Sequence, residues 1–272
     1  MSDFPAKAGR LLDALRAQRP LVQNITNFVS MDVAANALLA IGASPAMVHA
    51  PEETPEFVAF SGALVVNIGT LSAPWVEAMH VAASSAHALG KPWALDPVGV
   101  GATAFRNHAV EHLVSLKPSL IRGNASEIMA VARIVGIDVA ATRPKGVDSA
   151  NATSEAESAA AALAAKLGCV IAATGAVDFV TDGARSLRLA NGSPLMERVT
   201  ALGCALTGVC GAFLAVEKDA FIATAAAIAV YGVAGEMAAA GAAGPGSFRV
   251  AFLDRLASIT PAEVAARLKV VA

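Results

Sequence analysis

Apolar positions along the chain fall into short, often β-branched runs separated by longer alanine-rich stretches. The runs lie at 21–25, 46–49, 64–68, 93–96, 120–122, 170–173 and 179–181, with 185–189 following across the turn Asp182-Gly183. Most are continuously apolar rather than alternating, the pattern of strands covered on both faces, and they predict a mostly parallel sheet. Helical segments are predicted between them, near 30–41, 74–89, 103–116, 125–135 and 154–167, giving a βαβα order. Beyond residue 199 the pattern is helical to the end, at 204–216, 220–240, 247–257 and 261–269. The opening MSDFPAKAGRLLDALRAQRP reads as a short amphipathic helix without the apolar core of a signal peptide. The polar stretch 142–155 reads as a surface excursion within a single domain, 1–272.

Composition adds one question to this α/β reading. Apolar residues make up 56% of the 272 and charged residues 15%, against roughly 45–50% and 25% in average globular chains. Disorder is excluded, but membrane insertion has to be weighed. The uncharged runs 199–216 and 220–235 are short of the roughly 20 residues of a spanning helix, and no Lys/Arg excess or aromatic belt flanks them. A buried helical hairpin accounts for both, so no membrane association is expected. Net charge is −2 with scattered Lys and Arg, which removes the footprint of a nucleic-acid binder. Cys169, Cys204 and Cys210 are odd in number and lack CxxC spacing, so neither a disulfide framework nor a zinc site is signalled, and a reducing cytoplasm fits.

Candidate chemistry gathers at the ends of the predicted strands, where an open α/β sheet places its ligands. Ile25-Thr26-Asn27, Asn67-Ile68-Gly69-Thr70, Asp96-Pro97-Val98-Gly99, Arg122-Gly123-Asn124 and Thr174-Gly175 each close one run. Asp96 ends a buried strand, an expensive place for a carboxylate without a partner, and suits a cation or a substrate hydroxyl; a turn aspartate is the simpler alternative. Asn124 and Glu127 have capping-box spacing; Glu127 can equally hold a magnesium-bound water, sharing that duty with Asp96. Val199–Ala205 opens an uncharged helix whose free amides and dipole attract an anion, with Gly203 permitting close approach. Cys204 stands at that helix start, where a lowered thiol pKa is expected; a small packing residue is the alternative, and Cys210 reads as core.

Two signals are decoys. His108-Ala109-Val110-Glu111-His112 matches H-x-x-E-H, but the helix keeps an ordinary apolar stripe and no third ligand is signalled. His80 and His87 read as exposed residues. The loop Gly244-Pro245-Gly246-Ser247-Phe248 can approach a nucleotide or merely reverse the chain.

Together these motifs resemble the hydroxyethylthiazole kinase family of the ribokinase-like superfamily. The resemblance rests on PLVQNITNFVSMDVAANALLAIGASPAMVHAPEE (20–53), ALVVNIGTLS (63–72), LDPVGVGAT (95–103), IRGNASE (121–127), ATGAVD (173–178), ALGCALTG (201–208) and YGVAGE to GPGSF (231–248). It implies a three-layer α/β sandwich and transfer of the γ-phosphoryl group of ATP, with Mg2+, to the primary alcohol of 4-methyl-5-(2-hydroxyethyl)thiazole. By the same resemblance, Arg122 and Thr174 contact ATP, and Asp96 and Glu127 organise the metal and its waters. Asn27 and Met47 match thiazole-binding positions, with Gly69 and the backbone of Ala201 nearby. Cys204, preceded by Gly203, takes the place of the catalytic aspartate of other ribokinase-like kinases. A homotrimer with the thiazole pocket between subunits is implied as well. The sequence departs from the family's Gly-x-Gly-Cys in carrying Ala201-Leu202-Gly203-Cys204.

Overall fold

The computed structural model describes residues 3–138 and 152–271. Its strands are β1 (Leu21–Ile25), β2 (Ser44–Ala46), β3 (Ala63–Asn67), β4 (Trp93–Asp96), β5 (Leu120–Asn124), β6 (Val170–Thr174), β7 (Asp178–Thr181), β8 (Ser186–Leu189) and β9 (Val270–Val271). They form one sheet in the order β2-β1-β3-β4-β5-β6-β7-β8-β9. The six strands from β2 to β6 are parallel, and the last three add on antiparallel. The C-terminal ends of β1, β3, β4, β5 and β6 therefore share one edge, which brings the five polar strand ends together.

The continuous apolar runs are explained by two buried faces. In β3, Val65 joins one core, while Leu64 and Val66 join the other; Leu120 and Ile121 of β5 divide in the same way. The Val65 face is covered by α1 (Phe4–Gln18), α2 (Met31–Ile41), α8 (Leu202–Leu214), α9 (Ala220–Ala239), α10 (Pro245–Ser258) and α11 (Pro261–Arg267). The Leu64 face is covered by α3 (Thr54–Phe60), α4 (Ala73–Ala88), α5 (Ala104–Ser115), α6 (Ala125–Ile134) and α7 (Ala152–Leu167). This is the expected three-layer α/β sandwich.

Small residues set the spacing of the layers around α8. A Cβ on Gly211 would sit 2.5 Å from Val65 Cγ2, so only glycine lets the helix lie this close to the sheet. The helix α9 is apolar on all sides and, among the described residues, is the one long and apolar enough to cross a membrane; 78% of that span is buried inside the protein. A helix apolar all round is one buried all round. The apolar surplus that raised the membrane question is thus largely core.

Several boundaries differ from the sequence reading. The strand expected at 46–49 lies at Ser44–Ala46, at the sheet edge, and α3, whose Thr54-Pro55 start follows a proline-rich loop, is an addition to the predicted elements. The helix expected at 204–216 begins two residues earlier. The last helix stops at Arg267, and the chain then adds β9, fixed by Lys269 donating its amide to Asn191 Oδ1 and accepting from the amide of Ala190. That pairing spans 78 positions, beyond the reach of local pattern. The excursion at 142–155 lies mostly outside the described residues.

Candidate active site

The site is organised around the first turn of α8. Ala201 precedes it at φ 65°, in the left-handed region, and turns the chain from the 3-10 helix Pro194–Arg198 into the helix. No side chain caps this end. The first helical amide bond here runs from Ala205 to the carbonyl of Ala201, so the amides of 202–204 precede the helix's own hydrogen bonding. Tyr231, buried in α9, donates its hydroxyl to the carbonyl of Leu202 at 2.8 Å and holds the turn in place.

One side of this turn faces a cavity of about 690 Å³, lined among others by Arg122, Thr174, Gly175, Ala201 and Gly203. Arg122, on β5, donates one arm of its guanidinium to the carbonyl of Gly203 at 2.9 Å and the other to Thr174 Oγ1. Its Nε is buried without a protein partner. A Cβ on Gly203 would approach Arg122 Nη1 to 3.1 Å, so a side chain there would press on the guanidinium. Asp178 closes the loop after β6 by accepting from the Gly175 amide; burial pushes its carboxyl up to about 6, against the pull of that amide and of Arg122.

The other side carries a buried polar chain. Cys204 Sγ accepts from Asn27 Nδ2 at 3.4 Å. The same Nδ2 donates to Asn67 Oδ1 at 2.8 Å, and Asn67 Nδ2 donates to Asp96 Oδ2 at 2.7 Å. Thr207, one turn further along α8, donates to the same carboxylate oxygen at 2.8 Å. Asp96 is 1% exposed. Burial pushes its carboxyl up to about 6, with Arg122 opposing and Glu127 adding to the push.

Asp96 Oδ1 is buried and has no hydrogen-bond partner in the protein. An unpaired carboxylate oxygen in a buried position is costly, and a hard divalent cation with oxygen ligands fits it. Glu127 makes the full capping box with Asn124: Oε2 accepts from the Asn124 amide, while Oε1 accepts from Gly99 in the loop after β4. Its structural role is thus real, and each oxygen retains a lone pair for a metal-bound water. Among the described residues, no three His, Cys, Asp or Glu side chains form a ready metal cluster; the two-carboxylate arrangement suits an ion that keeps several waters. His108, Glu111 and His112 on α5 form no such cluster either.

The structure therefore divides the expected residues into two groups meeting at α8. Arg122, Thr174, Ala201 and Gly203 line the cavity; Asn27, Asp96 and Cys204 belong to the polar chain. Gly69 borders that chain, since its amide donates to Asn67 Oδ1 and a Cβ there would meet Asn27 Nδ2 at 2.5 Å. Met47 follows β2 and packs, half-buried, against the core on the α8 side, outside the cavity lining. Cys210 is fully buried, its thiol pushed up to about 12.

One expectation is overturned. The helix start was expected to lower the Cys204 thiol pKa; instead burial raises it, Asp96 raises it further, and Asn67, Asn27 and Arg122 offset only part. Asn67, named in the sequence only as part of a polar strand end, is a full member of this chain, and Thr207 is a participant that the sequence reading does not single out. The available signal for Thr207 is a hydroxyl one turn after Cys204 on an otherwise apolar helix.

Comparison with known proteins gives a consistent result. A family model described as "Hydroxyethylthiazole kinase family" matches residues 12–262. A hydroxyethylthiazole kinase of Cereibacter sphaeroides is 59% identical over 253 residues, covering 93% of this chain and 94% of that protein. One of Rhizobium johnstonii is 54% identical over 263 residues, 96% of each. The solved structure of a hydroxyethylthiazole kinase protein from Pyrococcus horikoshii superposes with a TM-score of 0.90 at 40% identity, covering 97% of this chain and 98% of that one.

Proposed function

The chain belongs to the hydroxyethylthiazole kinase family, and from that premise we propose how its residues phosphorylate the primary hydroxyl of 4-methyl-5-(2-hydroxyethyl)thiazole with ATP, a step of thiamine salvage. The observation that carries the reading is the two-sided first turn of α8. Arg122 and Gly203 face a nucleotide-sized cavity on one side, and Cys204 meets Asn27 on the other. A phosphoryl group moving between the two sides passes the helix start.

Phosphoryl transfer is mostly positioning and charge stabilisation. The alcohol oxygen forms a bond to the γ-phosphorus, the bond to the bridging oxygen breaks, and ADP leaves. The backbone amides at 201–204 and the helix dipole stabilise charge on the transferred group. Arg122, its guanidinium already oriented by Gly203 and Thr174, neutralises the nucleotide phosphates. Asp96 and Glu127 would hold Mg2+ and its waters, and the ion when bound adds neutralising charge at the phosphates. Asn27 orients the alcohol on the Cys204 side, with Met47 and Gly69 shaping the thiazole end.

Cys204 takes the position of a base, yet its raised thiol is protonated near neutral pH. Its part is to position the hydroxyl, whose proton leaves late, to a phosphoryl oxygen or to water. Chemistry is then slow by the standard of kinases with a carboxylate there.

The active form is a homotrimer with the thiazole pocket completed by a neighbouring copy, acting as a single-domain cytoplasmic enzyme with no membrane or nucleic-acid partner. Support for the shared pocket comes from Phe28 and Val29, directly after Asn27, which are 63% and 60% exposed. ATP turnover with the thiazole alcohol, followed by mass spectrometry, tests the reaction; light scattering in detergent-free buffer tests the trimer.

A further inference from the structure

We propose that Asn67 is a positioning residue for this reaction, fixing the substrate-side Asn27 and the cation-side Asp96 at one spacing through its side-chain amide. The inference rests on the kinase reading above. No step of the mechanism so far uses Asn67, although it is 1% exposed and makes three side-chain hydrogen bonds.

Its partners dictate its orientation. Asp96 as a carboxylate can only accept, so the amide nitrogen must face it; the Gly69 backbone N–H can only donate, so the amide oxygen must face Gly69. Asn27 Nδ2 then meets that same oxygen. A rotated amide would place like poles together at both ends. The register reinforces this, because Asn67 lies beside Asp96 at the last paired position of β3 and β4.

The chain closes on itself. Cys204 accepts from Asn27, Asn27 donates to Asn67, Asn67 donates to Asp96, and Asp96 accepts from Thr207. Cys204 and Thr207 are three apart on α8, so they share a helix face. The loop therefore ties three strand ends to the helix that presents the anion site. Asparagine is the side chain that fits its centre. Aspartate would oppose a second carboxylate to Asp96, serine is too short to serve both partners, and leucine has no polar atoms.

The test is the kinetic behaviour of Asn67→Ala, with Asn67→Ser as the variant that removes less volume, each checked for folding by circular dichroism. The expected result is a kcat lower by roughly 100-fold, the cost of a misplaced reacting group, with KM for ATP within about threefold of wild type. Asn67→Ser should show the same split with a smaller drop. Asn27→Ala combined with Asn67→Ala should cost clearly less than the two single losses multiplied together, since part of the Asn67 effect acts through Asn27. A kcat within about threefold of wild type in a folded variant, or a parallel loss of kcat, ATP binding and melting temperature, would overturn the proposal.

Hydrogen exchange of the segments 26–30 and 68–71, in protein without substrate, separates this from failure of the kinase reading. If wild type does not phosphorylate the thiazole alcohol, that reading fails. Faster exchange confined to these two segments in Asn67→Ala still supports the positioning role, and unchanged exchange removes it.

Discussion

Arg122 donates to the carbonyl of Gly203 at 2.9 Å, joining two points 81 positions apart in the chain. That bond aims the guanidinium and fixes the helix start in one contact, while the second arm holds Thr174. Lysine keeps the charge but has no planar fork to serve both partners. Arg122→Lys should therefore raise KM for ATP and lower kcat, and Arg122→Ala should lower kcat by roughly 100-fold or more. Steady-state kinetics with ATP varied checks both; a lysine variant equal to wild type would show that charge alone suffices.

Ala201 sits at φ 65°, a conformation that costs a residue with a Cβ about 1–2 kcal/mol. Part of that cost is offset because alanine loses less entropy on folding than glycine. Ala201→Gly should thus stabilise the protein by up to about 1 kcal/mol, raising the melting temperature by roughly 2–4 °C. Thermal unfolding followed by circular dichroism is the measurement.

Burial and Asp96 keep the Cys204 thiol protonated, with a pKa raised above the ordinary 9.0. The proposed mechanism needs no standing thiolate. Cys204→Ala should retain measurable turnover, losing no more than roughly 100-fold, the low end of what a general base supplies. Cys204→Asp should remain active. Complete loss in a folded, ATP-binding alanine variant, or an inactive aspartate variant, would identify an obligatory thiol base.

Asp178 is buried, and its carboxyl is raised from 3.8 to about 6. A raised carboxylate pKa means that the folded protein holds the proton longer than the unfolded chain does. Stability associated with this group is present below about pH 4 and is lost as pH rises toward 6. Asp178→Asn keeps an acceptor for the Gly175 amide and removes the buried charge. It should raise stability at pH 7 by about 1–3 kcal/mol and leave it little changed near pH 4. Urea unfolding at the two pH values checks the sign.

Gly211 in α8 leaves no room for a side chain against Val65. Gly211→Ala should shift the helix away from the sheet and destabilise the fold by about 1–3 kcal/mol. Because the same helix carries Cys204 and Thr207, catalysis should fall with it. A stable, fully active variant would mean that the helix spacing is looser than the packing indicates.

The chain's own pattern showed β1 and β4 to the residue, each a short run directly after a proline, although β1 buries Gln23 and Asn24 among its apolar positions. The Glu127 cap was equally visible, because its partner lies three positions away. What the sequence concealed was set by contacts across the fold. Asn67 bonds to residues 40 and 29 positions distant, and no local pattern marks that. The Cys204 thiol was expected to be lowered from its place at a helix start, whereas its environment is decided by how deeply α8 packs and by Asp96 beside it. The start of α8 was misplaced by two residues, because a left-handed alanine opens it where a glycine or a polar cap would have been the usual signal.

The most direct test of the whole account is the product formed when the purified protein is given ATP, Mg2+ and 4-methyl-5-(2-hydroxyethyl)thiazole. The account predicts ADP and the thiazole phosphate monoester in equal amounts, with no product from a pyrimidine alcohol or a hydrated nicotinamide. ADP released without the thiazole phosphate, or preferential phosphorylation of one of those other acceptors, would contradict it.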